Sequence, residues 1–274
     1  MGPPRGSSPP RVLPRSAPAG DLRGLRQAVR VVLLCGILLL AVGWWRKDAL
    51  PAPEHLRPEL MSEPLQLPVE QPAFRTVVEG VEYSIQPRYS YDISGLVVSL
   101  HDSDTWWDTA HREWDDHINL MDLCVVWGRN ASSGIYREVR FSNTQWTCHM
   151  SARSGTDWQA FNTAQASNNH MVTDRPEVGR ALRRIHVGDQ VRVRGYLVDY
   201  TTYRNGVPFA RRVSSDSRTD DLCEVIYVTS IEPLAASGTA SRFAFALGAV
   251  LLMLGAVAWL LLPLPRISEG GGGF

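Results

Sequence analysis

Seventeen residues from His101 to His117, "HDSDTWWDTAHREWDDH", hold three His, six acidic residues and three Trp. Imidazoles and carboxylates are the side chains that ligate divalent metals and carry protons near neutral pH. On a helix, Asp104, Asp108 and His111 stand four and three residues apart and share one face. They are the expected metal triplet, for a divalent cation. His111 and His117 are six apart, about 120° around a helix, and diverge. The same stretch fits a simpler pattern. Trp107, Ala110, Trp114, Ile118 and Met121 recur at helical spacing, as the buried stripe of an amphipathic helix does. The spacing therefore predicts a helix from Thr105 to Asn119, packed by its Trp side. Its acidic side faces water, a metal or a basic partner.

Four cysteines offer a second chemistry. Cys35 lies in an apolar run and reads as packing. Cys124, Cys148 and Cys223 allow three pairings with one thiol left over, and Cys148–Cys223 is the favoured disulfide. There is no C-x-x-C, which argues against a thioredoxin-like role. A cysteine nucleophile with His149 or His170 would have to be assembled in space, because adjacency in sequence does not make a catalytic pair.

Two further groups read as ligand contacts. "SNNH", Ser167 to His170, is turn-forming, and a loop there would offer Asn168, Asn169 and His170 to a sugar-like ligand. In "VRVRGYLV" Val alternates with Arg, so Arg192 and Arg194 share the face opposite the core. That face either neutralises local acids or meets an acidic polymer, a lipid headgroup or a protein.

These residues need elements to hold them. The first 30 residues carry six Arg against one Asp, whereas Asp48 to Ser241 carries 18 Arg against 26 Asp plus Glu. A neutral chain is thus divided into a basic end and an acidic body. "VVLLCGILLLAVGWW" and "FAFALGAVLLMLGAVAWLLLPLP" are apolar enough to cross a bilayer, the first with some help from its flanks. The sequence after the first has no small-residue cleavage pattern, which predicts an uncleaved anchor. Arg15, Arg23, Arg26 and Arg30 precede it, so the positive-inside rule predicts cytoplasmic termini and an outward body, periplasmic in a bacterium. That location, with the acidic body, argues against a nucleic-acid partner. Gly36 and Gly43, and Gly248 and Gly255, are each seven apart and could form a seam between the spans or between copies.

The expected organisation is a disordered basic tail over 1–27, a span over 28–46, a Pro-rich spacer over 47–72 and a folded domain over 73–234. A second span follows over 242–264, and a flexible tail over 265–274. Alternation and β-branched content make the domain mainly β. Turns fall at Glu79-Gly80 and Asn205-Gly206, and a second helix over Glu177–Ile185. Strands, then a helix, then "VGDQVRVRGYLV", then a closing "VIYVTSIEPL" resembles the small Greek-key barrel of the oligonucleotide/oligosaccharide-binding (OB) type over Tyr91 to Leu234. "ASNNHMVTD" and "CEVIYV" are similar to a bacterial family of membrane-anchored proteins, a resemblance that implies no activity. Walker, G-x-S-x-G, H-E-x-x-H and S-x-x-K motifs are lacking. The expected function is a membrane-anchored binding or assembly module with a protein partner or a second copy and no resident cofactor. The alternative is a periplasmic enzyme or divalent-metal module built on residues 101–117.

Overall fold

The computed structural model describes residues 19–217 and 223–262. The expected flexible tail over 265–274, and the tail before residue 19, lie outside the described residues. The chain divides into two compact units, one built from the segments up to Lys47 and from Ala240, the other from Asp48–Thr239.

The first unit contains two helices, α1 (Ala19–Arg46) and, at the other end of the chain, α6 (Thr239–Leu261). Both are long and apolar enough to cross a membrane. α1 starts at Ala19, inside the expected tail, because "LRGLRQA" is made mostly of good helix formers and the helix does not end where hydropathy does. The four glycines make the seam. A Cβ on Gly36 would lie 3.0 Å from Leu252 Cγ, and one on Gly248 would lie 2.5 Å from the Leu40 backbone nitrogen. Such close backbone approach is what small residues permit.

The second unit is mainly β. Its strands are β1 (Leu65–Pro68), β2 (Phe74–Val78), β3 (Val81–Asp102), β4 (Asn119–Val126), β5 (Val139–Thr144) and β6 (Thr147–Ala152). β7 (Ala166–Val172), β8 (Gln190–Arg204), β9 (Val207–Arg212) and β10 (Glu224–Ala235) complete them. Short helices α2 (Ala110–Glu113), α3 (Gly128–Ser133), α4 (Gly155–Ala160) and α5 (Pro176–Leu182) connect them. In the large sheet β3 pairs β4, β4 pairs β7, β7 pairs β10 in parallel, β10 pairs β8, and β8 pairs β3. β5 and β6 form a separate hairpin. The main core gathers Tyr91, Ile93, Val97, Leu123, Trp127, Met171, Leu182, Val193 and Ile226. The expected turns hold: Glu79, Gly80, Asn205 and Gly206 all have positive φ.

Three expectations are corrected. Residues 47–72 are not a free spacer. Prolines 53 and 58 start short 3-10 turns that seat Leu60, which is fully buried. Trp127 Nε1–H donates to Glu63 Oε2 at 3.0 Å, and β1 pairs β3. The helix over Thr105–Asn119 shrinks to Ala110–Glu113. Asp108 turns inward, and its Oδ1 accepts the His111 backbone N–H at 3.0 Å, a capping bond that starts the short turn here rather than at Thr105. Asp115 at φ 52° ends the turn, and Met121 belongs to β4. "SNNH" is a central strand of buried residues, not a loop. Asn169 Nδ2 donates to Ser167 Oγ at 2.8 Å and to the Leu123 carbonyl at 3.2 Å, so its amide nitrogen is satisfied inside the sheet.

Candidate functional site

Two His–Asp pairs lie buried side by side, joined through Asn119. The first is built by the end of β3 and the connection to β4. His101 Nε2–H and His111 Nδ1–H each donate to Asp108 Oδ2 at 2.6 Å. Asp108 is wholly buried, and both imidazoles are nearly so. Burial pushes the Asp108 carboxyl up, but the hydrogen bonds from His101 and His111 outweigh it and hold the group below the usual carboxylate range. Trp146 Nε1–H donates to His111 Nε2 at 2.5 Å. That bond needs a bare Nε2 and leaves the His111 proton on Nδ1. Burial lowers the His111 pKa against the pull of Asp116 and Asp108, in keeping with a neutral ring.

Trp146 reaches His111 from the tip of the β5–β6 hairpin at φ 68°, a conformation rare for a bulky residue. Its ring packs on His111 and Trp114 at 5.0 and 5.7 Å, and the Arg212 guanidinium lies 4.2 Å above it. Arg212 Nε–H in turn donates to Asp116 Oδ2 at 3.2 Å, and Tyr200 Oη–H donates to the same carboxylate at 2.8 Å.

The second pair joins β4 and β7. Asp122 is registered with His170, and His170 Nδ1–H donates to Asp122 Oδ1 at 2.6 Å. Burial pulls the His170 imidazole down, but the Asp122 carboxylate overrides it and lifts the pKa to about 10. Burial likewise pushes Asp122 up, and the charge of His170 holds it down. Asn119 Nδ2–H bridges the pairs, 3.1 Å from His111 Nε2 and 3.2 Å from Asp122 Oδ1. A cleft of about 60 Å³ reaches this bridge past Ser103, His111, Asp116 and Arg183. Ser103 Oγ and Asn119 Oδ1 are buried without a hydrogen-bond partner among the described residues. The cleft has room for water to reach them.

The expected metal triplet is divided. Asp108 and His111 meet, but Asp104 is exposed and pairs with Arg183 Nη2 at 3.1 Å. His101 takes its place: one ligand atom each from His101, Asp108 and His111 lie within 4.8 Å of one another. Asn168, Asn169 and His170 lie within the sheet. Arg192 and Arg194 lie partly exposed on β8, and both bind Asp92. Arg192 does so through two bonds, of 2.8 and 2.6 Å. The hydrogen bond from Arg192 is the main reason Asp92 sits below the usual carboxylate range. The expected Cys148–Cys223 disulfide is replaced by Cys124–Cys148, and Cys223 is free. Cys124 on β4 faces the hairpin strand β6, with a Cα–Cα distance of 5.9 Å that suits a bridge. His149 is exposed and meets Thr144 Oγ1 at 3.0 Å. His101, Asn119, Asp122 and Trp146 were not singled out from the sequence. Asp122 had a signal: a carboxylate inside the apolar run "LMDLCVV" has to be paired if that strand is buried.

No family model, curated protein or solved structure matches this chain.

Proposed function

We propose that this chain is a two-span protein of the bacterial inner membrane, with both termini cytoplasmic. It displays an OB-like barrel in the periplasm that acts in binding or assembly, as a scaffold, accessory subunit or ligand-sensing domain. The order of pairings supports the barrel. From β3 through β4, β7, β10 and β8 it returns to β3, with β7 parallel to β10 and α5 between β7 and β8, as in an OB barrel. The Arg-rich flank of α1 supports the orientation.

One observation carries the binding role: Trp106, Trp107 and Trp114 are 86, 49 and 45% exposed on the segment that carries Asp108 and His111, with the Trp107 ring 5.0 Å from that of His101. Large exposed aromatics grouped over a polar centre mark a contact surface. A photocrosslinking residue at Trp106 in living cells tests it. An adduct with a partner or a second copy is expected, with none at the exposed control position Glu177; no adduct at Trp106 sinks the reading. A periplasm-dependent reporter fused after Leu234 should be active, and activity only in a cytoplasm-dependent reporter reverses the orientation.

A second reading, a divalent-metal module, is favoured by the convergence of His101, Asp108 and His111. The Trp146 bond to His111 Nε2 opposes it, since a metal on Nδ1 would move a proton to the nitrogen that accepts from Trp146. Metal analysis of the purified full chain decides: Zn²⁺ or Mn²⁺ lost in His101→Ala supports this reading, and metal-free protein removes it.

A further inference from the structure

Two neighbouring strands, and the residue just ahead of a third, bring a carboxylate, an imidazole and a sulfur to one place. Asp122 on β4 is registered with His170 on β7. Glu224 on β10 is registered with Asn169, and Cys223 immediately precedes it, so the parallel pairing sets Cys223 beside Asn168. Asn168 and His170 are two residues apart on one strand and share a face. Asn168 Nδ2–H donates to Cys223 Sγ at 3.6 Å, and the sulfur also meets the Trp146 carbonyl at 3.6 Å. His170 Nδ1–H donates to Asp122 Oδ1, and Cys223 lies close enough to the same ring to help raise its pKa. Asp122 and His170 are buried, whereas Cys223 is half-buried and has no disulfide partner. The other oxygen of Asp122, Oδ2, has no hydrogen-bond partner among the described residues, where Oδ1 bonds His170 and Asn119.

A nucleophile on the accessible side, a base behind it and a buried group orienting the base is the arrangement of nucleophilic catalysis. We propose that Cys223, His170 and Asp122 form a thiol acyl-transfer centre for a carboxylic ester or thioester, with Cys223 as nucleophile, His170 as proton carrier and Asp122 as positioning carboxylate. Cys223 first releases its thiol proton to solvent, because the charged His170 ring already carries both of its protons, and the sulfur then attacks the carbonyl carbon and forms an S–C bond. The carbonyl electron pair moves onto oxygen, with the Asn168 amide as the nearby donor. As that pair returns, the bond to the leaving alcohol or thiol breaks, and His170 gives the leaving atom its proton. Nδ1 is committed to Asp122, so Nε2 delivers it. Water then attacks the thioester carbon and passes a proton to His170. The S–C bond breaks, the acid leaves, and the thiolate and imidazolium are restored. No oxidant or metal enters the balance. The site uses the His–Asp pair that the proposed binding surface leaves aside, so either proposal stands if the other fails.

The test uses the full chain in detergent, with Cys35→Ser making Cys223 the only free thiol, and p-nitrophenyl acetate as probe. A burst of one p-nitrophenol per chain and an acetyl group on Cys223 are expected. Cys223→Ser should lose both while keeping its melting temperature. His170→Asn should slow the burst about 100-fold, the lower end of what a positioned proton carrier supplies. Among the described residues, the charged and titratable groups facing His170 are Asp122 from β4 and Cys223 ahead of β10; Glu224 pairs with Asn169, on the opposite face. Asp122→Asn should therefore move the alkaline limb of the rate profile down from about 10 towards the ordinary imidazole range, a shift that a purely structural role would not cause. No acetyl group on Cys223 overturns the proposal. So does acetylation that is equally fast in a folded His170→Asn.

Discussion

The two His–Asp pairs use the same side chains and differ in what closes their far ends. At His111 the far nitrogen accepts from the Trp146 indole, burial dominates, and the ring is neutral. At His170 the far side meets a half-exposed sulfur, the carboxylate dominates, and the ring stays charged well above neutrality. A His–Asp contact of 2.6 Å therefore does not fix the charge of the pair. The balance between burial and the charges around each ring does.

The largest way to break this comparison is Asp122→Ala. It leaves His170 without its carboxylate in a closed site, and removing one partner of a buried ion pair costs about 3–5 kcal/mol. Urea unfolding measures it; a loss under about 1 kcal/mol would mean that His170 gives up its proton at no cost. Asp108→Asn should cost less, about 1–3 kcal/mol, because the rings it faces include a neutral one and the damage is an unmatched hydrogen bond.

pH should separate the pairs with opposite signs. His170 has a raised pKa, so its contribution to stability is complete below about 6.5 and is lost as pH rises through about 10. His111 has a lowered pKa, so its neutral burial costs nothing above about 6.5 and destabilises progressively as pH falls below that. Melting curves across pH should show both limbs, with His170→Gln flattening the alkaline one and His111→Gln the acid one. The smallest expected effect is that of Trp146→Phe, about 1 kcal/mol for one hydrogen bond. That change should also raise the His111 pKa, read from its ring proton shifts.

What was legible in the sequence follows the same division. The two apolar helices, the strand "QVRVRGYLV", the α5 helix and both positive-φ turns each rest on a local pattern, and each is present. The glycine seam was readable because a seven-residue spacing keeps one helix face. The 101–117 stretch was misread because its period-matched Trp residues outweighed Asp108, whose inward bonds to His101 and His111 break the helix. "SNNH" was misread because turn propensity is local, whereas its place between β4 and β10 is set by pairing with distant strands. Asp122 on β4, His170 on β7 and Cys223 just ahead of β10 are far apart in sequence. Only strand register brings them together, and no spacing rule carries register.

The most direct measurement is the ring-nitrogen NMR of ¹⁵N-histidine-labelled full chain, with His111→Gln and His170→Gln used for assignment. At mildly alkaline pH, His170 should show two protonated ring nitrogens and titrate near 10, while His111 shows one protonated and one bare nitrogen. A His170 that titrates near 6.5, or a His111 that is doubly protonated at neutral pH, would contradict the division of the two pairs.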